Sequence, residues 1–388
     1  MLALRGGLKQ SLTKKYLAGS CELTYRMLRG RSGQRDFSRV VVVAALSRNN
    51  GITQGARLQA RALRELGIET DLLDATPALR NPLFRIPHTP GSAYVFHSGG
   101  PQTASLIGSV LPHVAEAYRI AYWAWELPDP PEGWTNCDRN VAEIWTPSTF
   151  AKRSLEGIME RPIRVVPHHI PSSPARERRA GEPFRVLTMA DSRSSLSRKN
   201  PEGAVKAFRQ AFGTSLSARL TLKLSGREDE IKAFEDSLGD MLRSQNIDVI
   251  RGHLNDAALT ALYRNADVLL SLHRAEGFGL PMLEAMAHGV PVVGTGWSGN
   301  LEFMDSANSL LVPYTLVPVQ DPAAIYSGST WAEPDLDAAA QGLRRLAESP
   351  ALYQHLAAAA HRSVIETGLG FPFVMPRAQQ REAIPAYP

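Results

Sequence analysis

ADVLLSLHRAEGFGLPMLEAMAHGVPVVGTGWSGN, running from Ala266 to Asn300, decides the fold of this chain. Ala266 to Leu272 is short and nearly all apolar, as expected for a buried parallel strand. Gly277 and Gly279 permit a sharp turn in which backbone N–H groups can approach a ligand. Pro281 suits the first position of a helix and Gly289 its end. The spacing therefore predicts a helix over Pro281–His288 and a further strand over Val290–Gly294. Glu276 then falls in the loop beyond a strand's carboxyl end, and Glu284 about one turn into the following helix. That placement lets both carboxylates face one crevice, at the edge where ligands bind in open α/β sheets. Outside such a setting they would read as a loop acid and a helix-start acid near a positive helix end.

The pair, seven residues apart within EGFGLPMLEAMAHGVPVV, resembles the retaining glycosyltransferases of family 4. The resemblance covers roughly residues 40 to 366 and implies the GT-B fold: an α/β chain of two Rossmann-like domains whose parallel sheets face each other across a cleft. It also implies that Glu276, Gly277, Phe278 and Gly279 hold the donor sugar, with Leu280 beside them, and that Glu284 binds the ribose of the nucleotide.

A length of 388 residues suits two α/β domains of ordinary size. Two cysteines, Cys21 and Cys137, far apart in the chain, argue against a disulfide framework and a thiolate metal site. The cytoplasm is the expected compartment. The longest apolar run, Val40 to Leu46, is too short for a membrane span, and Met1 to Leu12 lacks the apolar segment of a secretory signal. The net charge of +5 is uneven: residues 1–39 hold nine Lys or Arg against Glu22 and Asp36, a balance of +7, and the rest of the chain sums to −2. Leu4, Leu8, Leu12 and Tyr16 recur every fourth residue among Lys9, Lys14 and Lys15. This pattern fits a short helix on an anionic membrane surface, at the inner face of the plasma membrane. Gly6 and Gly7 weaken such a helix, and a mobile basic leader or a helix packed on the body fits as well.

Residues 1–38 are thus read as a leader, 39–170 as a first domain, 171–183 as a linker, 184–366 as a second domain and 367–388 as an irregular tail. The first domain opens with a buried strand, Val40–Ser47, then the loop Asn49–Gly55 (NNGITQG), a helix Ala56–Leu66 and a strand Glu69–Leu73. Gly51 and Gly55 are spaced G-x-x-x-G, so the dinucleotide fingerprint is missing. In the family the equivalent loop faces the cleft, which puts both glycines on the acceptor or diphosphate side; simple turn roles are the competing reading. Tyr94–Phe96 runs into His97, and Ile120–Trp125 into Glu126 and a Pro-rich loop. The segment AYWAWELPDPPEGW, with IWTPSTFAKRSLE and VVPHHI after it, resembles a branch that builds bacterial surface polysaccharides. That places Trp123, Trp125 and Glu126 against the acceptor, with His97 on the same side, whereas a buried aromatic cluster and a structural histidine are the alternatives.

PSSPARERRAGE, Pro171–Glu182, has linker composition. A strand Phe184–Met189, the loop DSRSSLSRKN and a helix capped by Asn200 with Pro201 at its first position follow. A helix start beside Arg198 and Lys199 suits a diphosphate, combining N–H groups with positive charge. The family uses an arginine and a lysine here. Lys199 matches the lysine, and Arg193 and Arg198 both compete for the arginine. Thr221–Leu224 and Val249–Ile250 are the next strands; the loop carrying Gly252 and His253 lies where the family reads the base. Glu302 in the loop after GTGWSGN either contacts the ribose-phosphate region or, the favoured reading, starts a helix, and Asp335-x-Asp337 is read as a helix start rather than a metal motif. No metal and no cofactor are expected beyond the co-substrate, a UDP- or GDP-sugar.

The resemblance implies transfer of a sugar from that donor to a saccharide or lipid-linked acceptor, with retention and without a metal, in cell-surface polysaccharide (lipopolysaccharide) synthesis. Glu276, Lys199 and Arg198 are the expected catalytic residues. Nucleic acid is not an expected partner. Two alternatives share the fold: a sugar-nucleotide epimerase, and a non-catalytic polysaccharide-assembly subunit, the latter suggested only by the Pro-rich tail.

Overall fold

A run such as RVVVVA at Arg39–Ala44 has no polar face to give to water, so it must be covered on both sides. That requirement organises the computed structural model, which describes residues 19–366 except 30, 32, 34–36, 48–49, 82–89, 112–113, 132, 174–177, 179–180 and 323–325. The amphipathic leader pattern up to Tyr16 and the irregular tail 367–388 lie outside the described residues. The described residues divide into two units, one of 19–124 with 130–169 and one of 125–129 with 170–366.

In the first unit, β1 (Arg39–Ala44), β2 (Thr70–Asp74), β3 (Ser92–His97), β4 (Arg119–Tyr122), β5 (Glu143–Thr146) and β6 (Ile163–Val165) form one sheet in the order β2-β1-β3-β4-β5-β6. Every neighbouring pair is parallel. Val40, Val42, Val95, Ile120 and Trp145 are core residues, covered by Ala56, Ala60 and Leu63 of the helix Gly51–Glu65. Here the expected loop Asn49–Gly55 is corrected. Asn50 accepts from Thr53 N and caps a helix that begins at Gly51, so both glycines are helical. Gly55 is needed for closeness rather than for a turn: a Cβ there would sit 2.5 Å from the His168 ring.

The cysteines, remote in sequence, are neighbours in space. A helix over residues 19–27 brings Cys21 Sγ to 3.6 Å from Cys137 Sγ, both as free thiols. Arg119, fully buried, is the other unadvertised element of this unit. Its guanidinium donates to the carbonyls of Asn140 (2.8 Å), Val114 (2.6 Å), Ala115 (2.9 Å), Ala117 (3.1 Å) and Arg31. It staples three loops with no carboxylate paired to it among the described residues, and burial brings its pKa down to about 10.

The second unit holds β7 (Phe184–Asp191), β8 (Ala218–Ser225), β9 (Ile247–Arg251), β10 (Val268–Ser271), β11 (Val292–Thr295) and β12 (Leu310–Val312), ordered β12-β11-β10-β7-β8-β9 and again all parallel. An antiparallel hairpin of β13 (Tyr314–Pro318) and β14 (Thr330–Pro334), which the sequence reading did not contain, follows. Helices Leu336–Glu348 and Pro350–Glu366 end the described chain; Leu343, Leu346, Tyr353 and Leu356 enter the core with Val186, Leu222 and Val293. Linker residues pack here too: Ser173 N–H donates to Ala287 O, and the Arg178 guanidinium lies between Phe184 and Tyr353. Among the described residues no helix is long and apolar enough to cross a membrane.

Candidate active site

Strand order reverses once in the second sheet, between β7 and its two neighbours β8 and β10. The loops leaving β7 and β10 meet there at the carboxyl ends of the sheet, the edge at which open α/β sheets bind ligands. The loop after β7 is shaped by its caps. Asp191 accepts from Arg193 N, Ser195 Oγ from Arg198 N, and Asn200 Oδ1 from Gly203 N. Ser195 (φ +67°) and Asn200 (φ +49°) both take the left-handed backbone region, uncommon for side-chain-bearing residues and least so for Asn. The result is a short helix, Leu196–Lys199, then the helix Pro201–Phe212. Arg198 and Lys199 therefore close the short helix as the longer one begins. Asn200 Nδ2 donates to Leu272 O at 2.9 Å and ties this loop to the end of β10.

The loop after β10 delivers Glu276 to the same place. Its Oε1 accepts from Lys199 Nζ, and its Oε2 lies 3.3 Å from Arg198 Nη1. Arg198 also donates to Ala275 O (2.6 Å) and Ser194 O (3.2 Å), covers the Tyr326 ring at 5.6 Å, and has Nη2 3.9 Å from Glu126 Oε1. Burial by itself would raise the Glu276 carboxyl, but Lys199 and Arg198 outweigh it and hold the pKa at about 2. Lys199 is shifted down, mainly by burial and also by Arg198, although Glu276 opposes this. Arg198 remains charged: the carboxylates of Glu276 and Glu126 overcome its burial.

A third loop fixes the Glu276 backbone. Ser298 Oγ accepts from Glu276 N at 2.9 Å, and Gly299 N donates to Glu276 O at 2.8 Å. Ser298 sits at φ +81° to do so. Behind it, His273 Nε2 faces two acceptors, Asn300 Oδ1 (3.0 Å) and Trp297 O (3.3 Å). Nε2 therefore carries the proton and donates, leaving Nδ1 to accept from Ser271 Oγ at 3.1 Å. Burial lowers the His273 pKa, consistent with the neutral ring. Ser298, Gly299, Asn300 and His273 escaped the sequence reading. The only signal was the glycine-rich GTGWSGN, whose positive-φ residue turned out to be a serine.

Gly279 (φ +99°) precedes the helix Leu280–Ala287, so the glycine turn supplies the helix cap. Phe278 points into the core against Phe303, with 5.0 Å between ring centroids, so what it can offer a ligand is backbone. Glu284, one turn in, accepts from the Tyr263 hydroxyl at 2.6 Å. Burial raises its carboxyl pKa to about 7, against the Tyr263 hydrogen bond. Across β8, the Arg193 guanidinium is taken by Asp191 (Nε 3.0 Å, Nη2 2.6 Å) and lies 3.2 Å from His253 Nε2, beside Gly252 at φ +90°. A guanidinium only donates, so His253 Nε2 accepts. Arg193 and Arg198 thus belong to different clusters, and only Arg198 shares Glu276 with Lys199.

The residues expected on the acceptor side fall in both units. Trp123 is fully buried, donating from Nε1 to Thr103 Oγ1 at 2.7 Å and meeting Trp134 edge-on; it is a core residue, the aromatic-cluster alternative. His97 is buried as well, paired with Gln59 Oε1 and stacked on Tyr122 at 4.3 Å; burial, then His168, pushes its pKa well down. Gly51 and Gly55 are in a helix, as above. Trp125 and Glu126 fall in the second unit: Trp125 donates to Asp129 O and tilts against Tyr326, and Glu126 approaches Arg198. Asp335 caps the helix Leu336–Glu348 by accepting from Ala338 N, and Asp337 accepts from Gln210, which is the helix start expected. Glu302 instead closes the short 3-10 helix Gly299–Glu302, so the helix-start reading of Glu302 is corrected.

Comparison with known proteins bears on the family and the fold. A model of family 4 glycosyltransferases in conflict systems matches residues 149–366. The GtfA subunit of the UDP-N-acetylglucosamine–peptide N-acetylglucosaminyltransferase of Streptococcus gordonii is 28% identical over 145 residues, 36% of this chain and 27% of that protein. The chain thus spans about a quarter of the curated relative it matches. Among solved structures, Anabaena HepE with UDP and glucose superposes with a TM-score of 0.61 at 12% identity, over 85% of this chain and 95% of that one. Sucrose-phosphate synthase of Thermosynechococcus elongatus gives 0.61 at 15% identity, over 85% and 94%. TarM of S. aureus gives 0.54 at 13%, over 72% and 53%. These structural likenesses are likenesses of fold.

Proposed function

Since the chain has the GT-B fold and belongs to the family 4 glycosyltransferases of conflict systems, we propose that it transfers a sugar from a nucleotide-sugar, with retention at the anomeric carbon and without a metal. One observation carries the reading: Lys199 and Arg198 converge on Glu276 at the reversal point of the second sheet. A departing nucleoside diphosphate gains negative charge, and fixed cations in a buried site stabilise it without reorganising. The Lys199–Glu276 pair supplies both partners of an exchange. The diphosphate takes the ammonium, and a sugar hydroxyl takes the carboxylate. Glu276, clamped through its backbone by Ser298 and Gly299, then holds the sugar where an acceptor hydroxyl meets the anomeric carbon. Glu284 takes the ribose, and Gly252 and His253 lie toward the base.

A UDP-sugar is the donor we favour over a GDP-sugar, because UDP appears with HepE and in the name of the GtfA protein. For the acceptor, the sequence branch supports a saccharide or lipid-linked saccharide in surface-polysaccharide synthesis, reached from the cytoplasmic membrane face by the basic leader. A polypeptide acceptor is the second reading, supported by the S. gordonii relative, whose name specifies a peptide.

The test incubates purified full-length protein with UDP-, GDP- and ADP-sugars and follows nucleotide release with and without oligosaccharide, lipid-linked oligosaccharide and peptide mixtures. Release that needs an acceptor and vanishes in Lys199→Ala supports transfer. Interconversion of the sugar without acceptor points to an epimerase. A protein that neither releases nor is thermally stabilised by any nucleotide is not this enzyme.

A further inference from the structure

Tyr263 lies on the helix Asp256–Asn265, fully buried, with its ring stacked on His288 at 5.6 Å. Its ring needs no hydroxyl to pack. Yet the hydroxyl reaches across to the next helix and donates to Glu284 Oε2 at 2.6 Å, within the range of a charge-assisted O–H···O⁻ bond. Burial, with Glu284 beside it, raises the Tyr263 pKa well above its ordinary value. The phenol therefore keeps its proton, and whenever Glu284 is ionised the direction of the bond is fixed: Tyr263 gives, Glu284 receives.

A carboxylate at the start of a buried helix can rotate and can protonate, and either change spoils it as an acceptor for ribose hydroxyls. Three charged or titratable groups act on Glu284. Asp256, on the Tyr263 helix, favours the neutral acid; Lys223, on β8, favours the anion; and Tyr263 favours the anion while also pinning one oxygen. Of these, only Tyr263 does both.

We propose that Tyr263 is a positioning residue for nucleotide binding: it occupies Oε2 of Glu284 and leaves Oε1 as the oxygen that accepts from the ribose hydroxyls. The proposal rests on the ribose role assigned to Glu284 above. It extends the nucleotide site to a residue that touches no part of the nucleotide.

The test measures binding of UDP and of 2′-deoxy-UDP to wild type, Tyr263→Phe and Glu284→Gln by calorimetry, between pH 6 and pH 9. Tyr263→Phe should bind UDP about tenfold more weakly at pH 7.5, with a reduced preference for UDP over the deoxy analogue. About threefold of that loss should be recovered at pH 9, because the carboxyl of Glu284, released from its donor, titrates about one unit higher; the remainder, from the unpinned oxygen, should stay. Weakness that pH relieves not at all would mean that the hydroxyl does not act on the ionisation of Glu284 and would overturn the proposal. So would wild-type affinity and pH profile in Tyr263→Phe while Glu284→Gln loses the ribose preference; that result spares Glu284. If Glu284→Gln keeps the full preference, or UDP binds to none of the three, the ribose reading itself fails. Should Tyr263→Phe not fold, the ratio of wild-type to Glu284→Gln affinity across pH decides: a ratio flat from pH 6 to pH 9 sinks the proposal.

Discussion

Lys199 and Glu276 share a buried ion pair whose carboxylate is held at both ends, by cations at its tip and by Ser298 and Gly299 at its backbone. In the proposed reaction the two residues have opposite duties toward a diphosphate, so their variants should part company. Lys199→Ala removes charge that the leaving group needs, and turnover should fall on the order of a hundredfold, with weaker UDP binding. Glu276→Gln frees Lys199 and Arg198 from their neutralising partner. UDP should bind at least as tightly as to wild type while turnover falls on a similar scale. Steady-state kinetics with UDP calorimetry decides this; a Glu276→Gln enzyme that loses UDP affinity would mean that the carboxylate organises the cations rather than the sugar.

Gly299 is where the Glu276 loop is most exposed to a small change. A Cβ at this residue would overlap Gly277 C and O and come within 2.7 Å of Phe278 N, all of it backbone. Backbone on both sides cannot move aside as a side-chain tip can. Gly299→Ala should displace the loop carrying Glu276 and Gly277, lowering turnover at least tenfold, whereas Gly296→Ala, where a Cβ would lie 3.3 Å from Leu311 Cβ and 3.4 Å from Val312 O, needs a shift of only a few tenths of an ångström and should be far milder. Equal activity of the two variants would remove the clamp from the mechanism.

The parts of this site that were legible in the sequence are those with local signals. Apolar runs between glycines marked the strands, Pro281 and Asn200 marked helix starts, and the two glutamates stood out within a turn-and-helix frame. What local pattern could not show was the long-range choice of partner. Nothing near Arg198 says that it, rather than Arg193, reaches Glu276; that follows from Asp191 two residues before Arg193, which takes its guanidinium. Gly51 and Gly55 looked like a loop because glycine lowers helix propensity, yet Asn50 caps a helix there and His168 needs the bare backbone. Trp123 followed an acceptor pattern, and packing against Trp134 claimed it instead. Ser298 and Tyr263 act through single hydrogen bonds to chain far away in sequence, which no periodicity encodes.

Arg119 provides a prediction about the first unit alone. Its guanidinium satisfies five buried or partly buried carbonyls, so Arg119→Met keeps the bulk and leaves acceptors unpaired. The cost should be on the order of 3 kcal/mol, roughly a 10 °C drop in the melting of that unit. Thermal melts of the full chain check it, and a shift of under about 2 °C would mean water replaces the arginine at little cost.

Glu284 makes stability fall where most carboxylates make it rise. Its folded pKa is raised to about 7 from an ordinary 4.5. Below about pH 4.5 the group is protonated in both states and contributes nothing to the pH dependence. As pH rises from there to about 7, the unfolded chain gives up its proton while the folded protein keeps it, so the folded state binds more protons and loses stability. Glu284→Gln has no proton to keep. The stability difference between variant and wild type should therefore grow in the variant's favour by roughly 1 kcal/mol per pH unit through the middle of that window, then level off above pH 7. Urea melts at half-unit steps from pH 5 to pH 8 measure the slope. A constant difference across that range would mean that the carboxyl ionises freely in the folded protein, and that Lys223 and the Tyr263 hydroxyl outweigh its burial.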